Sequence, residues 1–206
     1  MFITLEGGDS VGKTTQAALL EDWLTGEGRE VVRTREPGGT PLGVEVRRIL
    51  LHGGDEIGAV DPRAEALLYA ADRAQHIAQI VRPALARGAV VVQDRYIDSS
   101  LAYQGAGRVL DVDEVRRISE WATQGLWPDL TVLFDLAPEV AATRRASRDD
   151  DRLEAEAQQF HEAVRSAYRE LAAASPDRFL VVDASGTPEQ IHAVVRASVA
   201  ERLSAG

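Results

Sequence analysis

Short apolar runs alternate along this chain with longer stretches in which apolar residues recur every three or four positions. The runs are FITLE (2–6), EVVRT (30–34), AVVVQ (89–93), LTVLFD (130–135) and RFLVVD (178–183). Runs this continuous predict parallel strands covered on both faces. The periodic stretches predict helices at roughly 14–26, 42–52, 62–87, 112–124, 138–146, 154–174 and 188–203. Asp61-Pro62 and Thr187-Pro188 each set a capping side chain before a proline at the first helical position. Pro83 is expected to kink or divide the third helix, since it lacks an N–H and its ring crowds the preceding turn. Strand–helix alternation of this kind predicts a doubly wound α/β sheet with right-handed crossovers and a ligand site at the strands' carboxyl ends. No repeat, linker or low-complexity segment interrupts the pattern, so one domain is expected over 1–206.

The first strand leads into EGGDSVGKTTQ (6–16). Gly7, four intervening residues, then Gly12-Lys13-Thr14 fit G-x-x-x-x-G-K-[ST], a phosphate-binding loop. Glycines let the backbone from Gly7 and Gly8 through Asp9, Ser10 and Val11 to Gly12 turn its N–H groups inward at a helix N-terminus. Lys13 is placed to reach the β- and γ-phosphates of a nucleoside triphosphate, and the Thr14 hydroxyl to ligate Mg²⁺. The competing reading is a Gly-rich strand-to-helix turn that happens to contain lysine. Against it, the chain holds 22 arginines and a single lysine, Lys13. A compact ammonium fits between phosphate oxygens where a planar guanidinium does not.

Composition narrows the classes. A hydrophobic content of 45% over 206 residues is ample for a core. The opening apolar run is broken by Glu6 and Asp9, and no stretch approaches the ~18 apolar residues of a membrane span. With no cysteine, disulfides and thiolate metal sites are excluded, and a cytoplasmic setting is expected. The four histidines, His52, His76, His161 and His192, form no ligand-spaced pair and read as packing or solvated residues. A net charge of −10 argues against a nucleic-acid-coating surface. An anionic nucleotide must then be met by local clusters of arginine.

Several such clusters stand out. REPGGT (35–40) makes a tight loop after the second strand, with Arg47 and Arg48 following on a helix, one free to face a phosphate and the other solvent. In LLYAADRAQ (67–75), Tyr69 and Arg73 share one helical face. A ring beside a forked donor suits a flat base, though a surface Tyr–Arg pair is equally compatible with the spacing. In VVVQDRYIDSSLAYQG (90–105), Asp94 and Arg95 end a strand where this architecture binds ligands, and Ser99, Ser100, Tyr103 and Gln104 follow closely. A buried Asp–Arg pair is the structural alternative there. RRASRDDDRLE (144–154) is too polar for the core and reads either as a solvated loop or as a mobile source of positive charge for phosphoryl transfer.

Taken in order, EGGDSVGKTTQ, TREPGGT, YAADR, DRYIDSSLAYQG, WPDLTVLFDLAPE and RASRDDDRLE resemble the thymidylate kinases, nucleoside-monophosphate kinases of the P-loop superfamily, over nearly the whole chain. The resemblance implies ATP as phosphoryl donor to dTMP, Mg²⁺, a five-stranded parallel sheet and a homodimer. It implies that Tyr69 stacks on thymine, where the family usually has phenylalanine, and that Arg73, Ser100 and Gln104 serve the base, with Ser99, Tyr103 and Glu36 among the substrate contacts. Arg95 and Arg47 are implied for the dTMP phosphate, Asp9 for the deoxyribose and the reacting phosphates, Arg144 for adenine, and Asp94 beside Thr14 for the metal. Some thymidylate kinases carry an arginine directly after the acidic residue of the phosphate loop; others place arginines in a lid. Here that position is Ser10, so Arg148 and Arg152 of a lid at about 144–154 are expected, with Lys13 and Arg95, to neutralise the transferring phosphoryl group.

Two rivals remain at this level. One is a P-loop kinase for another nucleotide, nucleoside or small-molecule acceptor. The other is a nucleotide-dependent switch ATPase; a guanine-reading N-K-x-D motif is impossible with Lys13 as the only lysine.

Overall fold

The computed structural model describes residues 1–52, 57–108, 110–145 and 151–205. Its centre is a sheet of β1 (Phe2–Gly7), β2 (Val31–Arg35), β3 (Val90–Asp94), β4 (Leu130–Asp135) and β5 (Phe179–Asp183). The strand order is β2-β3-β1-β4-β5, and every pairing is parallel. The three inner strands are buried along almost their whole length, whereas the edge strands β2 and β5 are partly exposed.

Helices cover both faces: α1 (Lys13–Gly26), α2 (Pro41–His52), α3 (Pro62–His76), α4 (Arg82–Ala86), α5 (Ile97–Ser100), α6 (Val112–Thr123), α7 (Pro138–Arg145), α8 (Gln158–Ala174) and α9 (Pro188–Ala205). Alternate strand residues divide between the two sides. Ile3, Leu5, Val132 and Phe134 pack with Leu20 and Leu24 of α1 and Ile191, Val195 and Val199 of α9. Phe2 and Val91 meet Ile77, Tyr96, Ile97, Leu101 and Val115 opposite. Both expected caps form. Asp61 Oδ1 accepts from the Arg63 N–H, and Thr187 and Gln190 close a reciprocal capping box at α9. None of the described helices is long and apolar enough to cross a membrane.

The structure revises the expected elements in three places. The 62–87 helix is interrupted by a π-helical stretch, Ile77–Val81, where the Arg82 N–H bonds to Ile77 O; the wider turn precedes Pro83 and relieves its clash with the ladder. The last helix but one starts at Gln158, not 154, because the Asp151 side chain takes the N–H groups of Leu153 and Glu154 into a turn. A helix not predicted at all, α5 continued by a π-helical Leu101–Gly107, carries the polar residues that follow Arg95. Its inward face is polar as well as apolar, which masked the helical period.

Candidate active site

The phosphate-loop pattern forms the expected strand–loop–helix. Gly7 has φ 133°, and a Cβ there would sit 2.6 Å from the Phe134 carbonyl oxygen, so β1 ends beside β4 only with glycine. Ser10 and Gly12 are also left-handed, at φ 60° and 101°, and Gly12 caps α1. Val11 is buried in the core and fastens the loop from beneath, so only its backbone can face a ligand. Lys13 lies 7% exposed rather than open to solvent, its Nζ donating to the carbonyls of Gly8 (2.5 Å) and Gly7 (3.2 Å). Burial, and next the like charge of Arg95, pull its amine from 10.5 down to about 8.

At the end of β3, Thr14 Oγ1 donates to Asp94 Oδ2 at 3.3 Å, and Asp94 Oδ1 is buried without a partner among the described residues. Arg95 follows at φ 67°, and this turn aims its guanidinium back across the loop. There Nη2 donates to Asp9 (2.5 Å) and to the Tyr103 hydroxyl (3.1 Å), while Nη1 meets Gly7 O (3.1 Å) and Ser99 Oγ (3.2 Å). Burial opposes the Asp9 charge, yet Arg95 and Lys13 beside it hold its carboxyl well below the usual range. Behind them Glu6, fully buried on β1, accepts from the Tyr96 N–H, Ser99 and Tyr168. Desolvation, reinforced by Asp98, pushes Glu6 up to about 7.

The remaining residues line a cavity of about 520 Å³ between α2, α3 and the 97–107 helix. Its wall holds Glu36, Arg47, Tyr69, Arg73, Ser99, Ser100, Tyr103 and Gln104, brought together from four segments. Tyr69 and Arg73 share the helical face that the i, i+4 spacing predicts. Tyr69 is buried, and its hydroxyl bonds to no described residue. Arg73 is largely committed elsewhere: it donates to Glu36, Ser119, Tyr96 O and Ser100, leaving one of its five N–H groups. Arg47 donates to Pro37 O and faces the cavity, whereas Arg48 pairs outward with Glu45, dividing the two as the sequence allowed.

Beside the phosphate loop a larger open cleft, about 2170 Å³, is lined by Lys13, Thr14, Asp94, Arg144 and Arg35. Arg144 is fixed by its bond to Ala184 O. The cavity and cleft meet: Asp9, Glu36, Arg47, Arg95 and Asp151 line both. Arg148 lies outside the described residues. Arg152 lines neither opening. Its guanidinium donates to Glu65 and, at 2.7 Å, to Leu50 O at the end of α2, while Leu153 packs into the core beside it.

The sequence reading missed Arg35, Glu65, Glu6 and Tyr168. Arg35 stands at a strand's carboxyl end beside the Pro-Gly-Gly loop, a position that marks ligand contacts in this architecture. Glu6, Glu65 and Tyr168 carry no local signal, because each gains its partners from segments distant in the chain.

Comparison with known proteins agrees with this geometry. The family described as "Thymidylate kinase" matches residues 5–195. A protein named "Thymidylate kinase" from Leifsonia xyli subsp. xyli (strain CTCB07) is 63% identical over 98% of this chain and 96% of its own. One of the same name from Clavibacter michiganensis subsp. michiganensis (strain NCPPB 382) is 61% identical over 100% and 97%. Another from Bifidobacterium longum (strain DJO10A) is 52% identical over 98% of each. With a phosphate loop opening onto an arginine-lined cavity and matches that span nearly its full length, this chain belongs to the thymidylate kinase family.

Proposed function

We infer that the base-and-phosphate cavity is the acceptor site of a kinase acting as one domain, and that its residues divide as follows. The chain transfers the γ-phosphoryl group of ATP to dTMP, giving ADP and dTDP. The observation that carries the site assignment is the shared lining of cavity and cleft by Asp9, Arg47 and Arg95, which lets a monophosphate in one approach a triphosphate in the other. A dTMP phosphate oxygen attacks the γ-phosphorus as the bond to the β–γ bridging oxygen breaks and ADP leaves. That oxygen is already a nucleophile, so no strong base is needed. The protein's task is alignment, neutralisation of charge and exclusion of water.

Arg95 and Arg47 hold the acceptor phosphate, with Asp9, Tyr103 and Ser99 fixing the Arg95 fork. Lys13 exchanges its contacts with loop carbonyls for phosphate oxygens. Arg144 lies against adenine, and Arg148 supplies charge at the transferring group. Tyr69 stacks on the base, whose edge meets Ser100, Gln104 and the remaining Arg73 N–H. Thr14 and Asp94 fit Mg²⁺: one hydroxyl and one carboxylate with a buried, unpartnered oxygen are a donor set that phosphate oxygens and water complete. The ion would neutralise charge on the β- and γ-phosphates.

A homodimer is also proposed. Trp121 on α6 is 81% exposed and Leu67 on α3, a helix packed against α6, is 56% exposed; these are large apolar side chains that a second copy would cover.

The test is an acceptor panel with ATP. Thymine differs from uracil by one methyl, so dUMP should be used about 10- to 200-fold less efficiently than dTMP. Turnover of dCMP, deoxythymidine or a non-nucleotide acceptor as fast as that of dTMP would refute the assignment.

A further inference from the structure

Glu65 enters none of the roles above, yet it is fully buried on α3 and its carboxylate takes hydrogen bonds from three side chains. Its Oε1 accepts from Gln104 Nε2 at 3.0 Å, and Arg108 and Arg152 donate to the same carboxylate. Burial alone would favour the neutral acid, but the bonds from Arg152 and Gln104 and the two guanidinium charges hold its pKa below the ordinary value. The carboxylate is therefore ionised and has no hydrogen to give.

That fixes the Gln104 amide. A primary amide has a donor end and an acceptor end of nearly the same shape, and only its partners decide which points where. Facing an acceptor-only group, Gln104 must turn its nitrogen to Glu65. Its oxygen takes no hydrogen bond from a described residue, is not among the sealed, unpartnered polar atoms, and belongs to a side chain lining the cavity. An amide held this way offers the ligand an acceptor oxygen together with the second hydrogen of its nitrogen. Thymine's imide edge, with an N–H beside a carbonyl, is the complement. Cytosine's edge, with a ring nitrogen acceptor beside an amino group, requires the reverse orientation.

We propose that Glu65 is the specificity-determining residue that locks Gln104 in the imide-reading orientation, so that cytosine-type bases are refused by a residue that never touches them. This rests on the reading of the cavity as the base site.

The experiment compares dTMP with 5-methyl-dCMP, which share sugar, phosphate and methyl group and differ only at the pyrimidine edge. The readout is the ratio of their kcat/KM values. Glu65→Gln keeps the shape but adds a hydrogen-bond donor, so Gln104 can flip; the preference for dTMP should fall by about tenfold or more, the scale set by mispairing a buried hydrogen-bonding group. A smaller change overturns the proposal. Arg108→Ala removes a different Glu65 partner and should leave the ratio unchanged even if both rates fall, which separates orientation of Gln104 from general loosening. If Glu65→Gln does not fold, Glu65→Gln with Arg152→Gln replaces the ion pair by two neutral amides, and the same ratio is read against the same threshold. Gln104→Leu tests the underlying reading: if it leaves dTMP binding intact, the base does not lie in this cavity. If Gln104→Leu weakens dTMP binding while Glu65→Gln leaves the ratio unchanged, the cavity reading stands and the role of Glu65 fails.

Discussion

Lys13 is expected to titrate within the working range of the enzyme. Its amine is buried against two backbone carbonyls and repelled by Arg95, and it loses its proton at about pH 8 instead of 10.5. In the nucleotide-free protein about nine in ten molecules are charged at pH 7 and about one in ten at pH 9. Capture of ATP requires the ammonium, so kcat/KM for ATP should fall about tenfold per pH unit above pH 8, since this parameter reports the free enzyme. Once the triphosphate is bound its negative charge favours the ammonium, and the limb in kcat should move to higher pH. Steady-state kinetics from pH 6.5 to 10 measure both: kcat/KM for ATP with dTMP held well below saturation, so that the nucleotide-free enzyme is the reference, and kcat with both substrates saturating. Lys13→Arg serves as the control that cannot titrate in this range: its kcat/KM profile should be flat, and low, because the planar fork does not fit where the ammonium sits between two carbonyls. Lys13→Ala should lose on the order of 10²–10³ in kcat, the cost of removing one preorganised charge donor at a transition state. A wild-type kcat/KM for ATP that is constant across this range, or near-normal turnover in Lys13→Arg, would refute the reasoning.

Glu6 makes a stability prediction with a definite sign. Its carboxyl is raised from 4.5 in the unfolded chain to about 7 in the fold, so its contribution is fully present below pH 4.5 and is lost as pH rises to 7, a loss on the order of 3 kcal/mol. Chemical denaturation of wild type and Glu6→Gln at pH 5 and 8 should show the variant losing less stability over that interval; parallel losses would contradict the assignment. The charged run offers the other contrast. Arg152 is bonded to Glu65 and Leu50 O, so Arg152→Ala should lower stability and dTMP affinity, whereas Arg148→Ala should lower kcat by the order of 10³, the scale of an arginine supplied to a transferring phosphoryl group. Wild-type kcat in Arg148→Ala would leave that run a solvated loop.

The sequence by itself determined most of the elements that depend on near neighbours in the chain. Five apolar runs gave five strands, and in the inner three burial on both faces keeps polar residues sparse. Gly7, Gly12, Lys13 and Thr14 gave the phosphate loop because its backbone turn and its functional groups lie within eight residues. Asp61-Pro62 and Thr187-Pro188 gave helix starts through bonds reaching two or three residues on. Tertiary structure alone decided how polar groups are shared. Arg73, which the resemblance implies as a base contact, gives four of its five N–H groups to Glu36, Ser119, Tyr96 and Ser100, none of them within 15 residues of it. Arg152, read as a source of catalytic charge, docks on Glu65, which lies 87 positions earlier. The helix over 97–107 escaped notice because its inner face is lined by buried hydroxyls and an amide, whose partners on β1, α3 and α8 no local pattern records. A buried polar side chain must find a partner wherever the fold brings one, and that requirement carries no period along the chain.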